Sequence, residues 1–124
     1  MSQNKMMNRM KKDEKFVNGI FEEIFNDNLP RYEKTISENK SNGNDAYRKI
    51  SITLSSLDEE EKKSVFDFFK IVSIDTASLI LGTIDGTHFP PGIDNDFKLI
   101  SDEDEIQGDL QDIFLGEVED KEIF

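Results

Sequence analysis

A chain of 124 residues has room for one hydrophobic core and little more. It has no cysteine and one histidine, His88, which excludes disulfide scaffolds, thiolate zinc sites, iron–sulfur clusters, cysteine nucleophiles and multi-histidine metal centres. Net charge is −12, concentrated in the last third: residues 85–124 carry 13 acidic and two basic side chains, Lys98 and Lys121, against 14 acidic and 13 basic in residues 1–84.

Such a surface repels phosphate, so nucleic acid and anionic membranes are disfavoured as direct partners and a basic protein is favoured. Ile, Leu, Val and Phe make up 36 of the 124 residues, well above the composition at which chains stay unfolded. No apolar run approaches the roughly 20 residues of a membrane span; the first, Phe16 to Phe25, is broken by Glu22 and Glu23. A folded, cysteine-free chain without an export signal is expected in the cytoplasm.

In chain order, residues 1–12 hold all four methionines (Met1, Met6, Met7, Met10) among basic residues and are expected to be frayed. From Lys15 the apolar pairs Phe16/Val17, Ile20/Phe21 and Ile24/Phe25 repeat every four residues, the mark of one wide apolar helical face. Asn28-Leu29-Pro30 is expected to interrupt that helix, and a second should run from Pro30 through Tyr32 and Ile36 to about Asn39. Ser41-Asn42-Gly43-Asn44 has loop composition, and Asp45 is a candidate cap. Residues 46–57 fit a helical stripe of Tyr47, Ile50, Leu54 and Leu57, although Ile50-Ser51-Ile52-Thr53-Leu54 also alternates like a strand. Helix is the reading adopted, since no hairpin signal lies nearby.

Ser56-Leu57-Asp58-Glu59 has capping-box spacing ahead of a long apolar run. Between Val65 and Ile84 apolar residues cover most of a helical wheel, leaving a polar strip of Ser64, Asp67, Lys70, Asp75 and Ser78; such a helix is expected at the centre of its domain. It should stop at Asp85-Gly86, followed by an irregular connection over 86–101 containing Pro90, Pro91 and Gly92. Ser101 or Asp102 should then cap a last helix bearing Ile106, Leu110, Ile113 and Phe114 on one face, with residues 117–124 frayed. The expected fold is all-α: a single domain over 1–124, a compact bundle of four to five helices around the central apolar helix at about 57–85.

Candidate sites are few. Asp94 to Glu105 places acidic groups at positions 1, 3, 9 and 12 of a calcium loop, but Lys98 and Leu99 stand where an oxygen ligand and a glycine are needed. His88 lies near Asp85 in sequence, a conceivable base dyad, with only Ser78 and Thr87 as nearby hydroxyls and no nucleophile elbow or phosphate loop anywhere. Asp75 either faces solvent or is buried and paired with Arg31, Arg48 or Lys49. Of Phe66, Phe68 and Phe69, which point different ways on one helix, at least one should remain near the surface as a contact anchor.

No catalytic residue, metal site or cofactor is therefore expected. The expected function is that of a non-catalytic acidic binding protein that masks a basic surface of a protein partner, with Asp102, Glu103, Asp104, Glu105, Asp109 and Asp112 steering association. Small size, a helical body and concentrated negative charge are properties of the immunity proteins that inhibit bacterial toxins. That likeness is one of size and charge, not of motif. The alternative is a self-associating structural or adaptor domain, a homodimer through its apolar helices.

Overall fold

Four-residue spacing of Val17, Phe21 and Phe25 decides the first element. In the computed structural model, which describes residues 10–38 and 45–123, α1 (Lys12–Glu22) buries Val17 and Phe21 almost completely, and Phe25 follows buried on the same stripe. The helix begins three residues before the expected Lys15. Asp13 and Glu14 suit the positive end of its dipole, and Asp13 Oδ1 accepts from the Glu14 N–H at 2.7 Å. The expected frayed start lies outside the described residues over 1–9.

The expected interruption at Asn28-Leu29-Pro30 does not occur. A π-helical stretch, Glu23–Asn28, carries the chain directly into α2 (Leu29–Glu38), and Leu29 keeps helical dihedrals (φ −65°, ψ −46°). The wider turn explains this: the Leu29 N–H bonds to Ile24 O, five residues back. The ladder has therefore already shifted its register when Pro30 arrives without an N–H.

By internal contacts the described chain divides into two compact units, residues 22–73 and residues 10–21 with 74–123. In the first, α2 is followed by α3 (Asp45–Ser55), so the helical reading of residues 46–57 holds over most of that span. The expected loop at 41–44 lies outside the described residues. Ile36 and Leu54 are buried, and the Ser51 hydroxyl donates to Ile36 O at 2.8 Å, tying α3 to α2.

The long helix α4 (Glu59–Asp85) starts at a capping box two residues later than expected. The Glu61 N–H bonds to Asp58 Oδ1 (2.8 Å) and the Asp58 N–H to Glu61 Oε1 (3.0 Å). Ser56 is unavailable because the turn leaving α3 consumes it; its hydroxyl and its N–H both donate to Thr53 O. Residues 59–73 of α4 belong to the first unit and 74–85 to the second. The apolar helix forms where expected, but only Ile74, Leu81 and Gly82 are buried along it. Phe68, Ile71, Val72, Leu79 and Ile80 remain exposed.

In the second unit α4 closes with a Schellman motif: Gly86 takes φ +80°, the Thr87 N–H reaches Gly82 O (2.9 Å) and the Gly86 N–H reaches Thr83 O (3.2 Å). After an irregular stretch, β1 (Ile100–Ser101) and β2 (Asp104–Glu105) pair antiparallel, with Ile100 opposite Glu105 and Ser101 opposite Asp104. The last helix, α5 (Leu110–Asp120), starts well after the expected caps Ser101 and Asp102. Those residues are spent on the hairpin, and Gly108 at φ +131° lies outside helical space. At the other end α5 continues to Asp120 instead of fraying from 117. Glu117 Oε2 accepts from Asn18 Nδ2 of α1 at 3.2 Å, and the Lys121 N–H caps Glu117 O. Val17, Phe21, Leu110 and Phe114 form the fully buried centre, with the Phe21 and Phe114 rings edge-on at 6.1 Å.

What seats α5 is Asp85, the final residue of α4. Asp109, in the N-cap position, makes no side-chain cap. Instead Asp85 Oδ1 accepts from Gly108 N (2.7 Å) and Leu110 N (3.2 Å), and Oδ2 from Gln111 N (2.8 Å). A carboxylate at a helix N-terminus satisfies orphan N–H groups and opposes the dipole. Gln111 locks the same corner, donating to Ser78 O and Ser78 Oγ and accepting from the Thr87 hydroxyl. Gly82 leaves room for that amide: a Cβ would stand 2.7 Å from Gln111 Nε2, so the amide would have to move.

Asp85→Ala is expected to lower stability by about 2 kcal/mol, the upper part of the range for helix caps, and Asp85→Asn by about half of that. Urea unfolding followed by circular dichroism measures both, and hydrogen exchange should show the loss at Leu110 and Gln111 first.

Candidate functional site

The six carboxylates expected to meet a partner do not share one helix. Asp102, Glu103, Asp104 and Glu105 sit on the hairpin, Asp109 precedes α5, and Asp112 is in its first turn. All six are exposed. Two are held by lysines of the same chain: Asp104 Oδ2 lies 2.6 Å from Lys12 Nζ, and Glu105 Oε1 lies 3.5 Å from Lys98 Nζ.

The tip of the hairpin is built at a conformational cost. Asp102 and Glu103 take φ +48° and +73°, the pair of left-handed residues of a type I′ turn, for which Asn-Gly or Asp-Gly is the usual choice. A non-glycine residue there costs roughly 1 kcal/mol. Lys12 offsets part of it: its ammonium bonds Asp104 and reaches Ser101 O and Asp102 O, both at 3.5 Å. The bond to Asp104 raises the Lys12 pKa above its ordinary value; desolvation opposes the shift, and the Asp104 and Asp102 charges add to it.

The connection before the hairpin is ordered and apolar on its outside. Pro91 and Gly92 (φ +80°) occupy the centre of a turn closed by the Ile93 N–H on Pro90 O at 3.0 Å, the type II pattern. At its far end the Leu99 N–H donates to Gln107 Oε1 and the Ile106 N–H to Leu99 O. Along this connection Phe89, Ile93 and Phe97 are exposed, as is Ile100 on β1. Asp94 and Asp96 lie among them, also exposed.

The Asp85 carboxylate is occupied by three backbone N–H groups, Ser78 and Thr87 bond Gln111, and His88 is exposed. Asp94–Glu105, weighed as a calcium loop, folds as irregular chain plus hairpin, with the Lys98–Glu105 pair inside it. Among the described residues no group of three or more His, Asp or Glu is placed to hold a metal ion, and no helix is long and apolar enough to cross a membrane. Asp75 faces solvent, the first of its two expected positions.

The unit of residues 22–73 carries a separate feature, an open groove of about 570 Å³ lined by Leu29, Tyr32, Ile36, Tyr47, Phe68 and Val72 with their neighbours. Phe68 is 60% exposed at its edge, the surface aromatic expected among Phe66, Phe68 and Phe69. Phe66 and Phe69 pack edge-on against each other at 5.5 Å. The roles of Asp85, Gln111 and Lys12 carry no sequence signal, because their partners lie 23 to 92 residues away.

No protein-family model, curated protein or solved structure matches this chain. Its site is therefore described by its own chemistry.

Glu103→Gly is expected to stabilise the protein by about 0.5–1 kcal/mol, since glycine adopts the left-handed position without steric cost. A higher urea midpoint at unchanged m-value checks it.

Proposed function

We propose that the protein is a non-catalytic binding protein whose acidic C-terminal part masks a basic surface of a protein partner, in the manner of an immunity-type inhibitor of a bacterial toxin. One observation carries this reading: the acidic surplus is left standing on the surface. Residues 85–124 have only Lys98 and Lys121 to set against 13 carboxylates, and both already lie beside acids of the same chain, Lys98 at 3.5 Å from Glu105 and Lys121 at 4.0 Å from Glu117. Asp102, Glu103, Asp109 and Asp112 stay exposed. Charges so placed steer association and pair with lysine or arginine across an interface. The mechanism is occlusion: the partner's basic working surface is covered. No nucleic acid or anionic membrane is the direct target, because both carry the same sign of charge.

Reversing Asp102, Asp104, Asp109 and Asp112 to lysine should leave the helical circular dichroism intact and weaken capture of a basic partner by at least about tenfold at low salt. The natural search is the product of a neighbouring basic reading frame, with affinity followed against salt. Undiminished capture by the reversed variant refutes the reading.

A second reading, self-association as a structural or adaptor domain, has the groove of residues 22–73 in its favour, since an exposed apolar surface of this kind marks interaction sites. Sedimentation at low and high salt separates the two. A salt-insensitive dimer abolished by Phe68→Ser supports self-association, and a monomer at all concentrations removes it.

A further inference from the structure

We infer that the loop of residues 86–99 and the hairpin after it form an apolar docking surface for a basic polypeptide that itself carries apolar side chains, with Phe89, Ile93, Phe97 and Ile100 as the anchors. The inference rests on the acidic-capture reading and deepens it: charge alone brings the partner in, and these four side chains hold it. Phe89 and Ile100 are each 60% exposed, Phe97 41% and Ile93 36%. All four fall within twelve residues of chain, in a unit whose core is otherwise filled by Val17, Phe21, Leu110 and Phe114.

Exposure on a floppy segment would mean little, but this segment is fixed at three points. The Schellman motif at Gly86 holds its start, the Pro90–Ile93 turn its middle, and the Leu99 bonds to Gln107 and Ile106 its end. Side chains held out from an ordered backbone cannot fold inward to escape water. The same rigidity reduces the ordering cost of binding, and aromatic anchors in such positions carry most of an interface's energy.

The occupant is identified by charge. Asp94 and Asp96 lie between the anchors, Asp102 and Glu103 stand at the hairpin tip beyond Ile100, and the only cation of the stretch, Lys98, is beside Glu105. A basic segment complements this border. A second copy of this chain does not, because isologous pairing through this face would set one acidic border against the same border. An uncharged apolar segment would leave the carboxylates desolvated and unpaired.

The test uses two synthetic 18-residue peptides of equal lysine content. One alternates lysine with leucine at helical spacing, and the other replaces each leucine with serine. Binding to the full chain is measured by fluorescence anisotropy at physiological ionic strength. The lysine/leucine peptide should bind at least about tenfold tighter than the lysine/serine peptide. The exposed double variant Phe89→Ser, Phe97→Ser should remove that advantage and leave the lysine/serine affinity unchanged. The reversal of Asp102, Asp104, Asp109 and Asp112 should weaken both peptides. Equal binding of the two peptides, or an advantage that survives the double variant, overturns the docking surface and leaves acidic capture standing. An advantage lost with Phe68→Ser instead places the apolar contact in the other unit and also overturns it. If neither peptide binds, the acidic-capture reading falls together with this one.

Discussion

The carboxylate of Asp85 is the constraint on which the acidic unit depends. It belongs to the last turn of α4, yet it accepts from three N–H groups where α5 begins. Without it, the first turn of α5 would have no side-chain cap, because Asp109 supplies none. Leu110 opens that turn and Phe114 follows one turn on, both fully buried, so the carboxylate fixes the end of the helix whose apolar face fills the core. Gln111 and Gly82 belong to the same joint. The amide bridges Ser78 to Thr87, and the missing Cβ makes room for it. The start of α5 is thereby held against the end of α4 through N–H groups that α5 alone leaves unsatisfied.

The long apolar helix, the proline-rich loop and the hairpin all leave large apolar side chains exposed. In the unit of residues 22–73 this leaves an apolar groove edged by Phe68. In the other unit the exposed residues are interleaved with carboxylates. Apolar exposure and one sign of charge in the same stretch of chain suit a surface that recognises by charge and binds by burial. The left-handed Asp102-Glu103 tip fits this picture. Glycine would ease the backbone, and two carboxylates stand there instead.

Period and punctuation determined much of this protein. The four-residue spacing of Val17, Phe21 and Phe25 is enough to place α1 and its buried face. Asp85-Gly86 is enough to stop α4, because a left-handed residue after the last turn is a local requirement that glycine meets. The lopsided charge was equally legible, by simple addition, whereas residues 46–57 fitted a strand alternation as well as a helical stripe and Asp75 was left open between solvent and a buried pair. Of the candidate site, the carboxylates were legible as a group.

Their arrangement was decided by tertiary structure. The hairpin has no turn signal, since Asp102-Glu103 adopts a glycine-like conformation that Lys12, some ninety residues away, helps to hold. The continuation through Pro30 depends on a π-helical register that no residue announces. The start of α5 depends on a carboxylate 25 residues upstream, and the exposure of Phe89, Phe97 and Phe68 depends on which distant segments pack against them. Local rules act through bonds to the next turn and are written in the sequence. Long-range caps, ion pairs and leftover surface arise only when distant segments meet, and no spacing along the chain encodes that meeting.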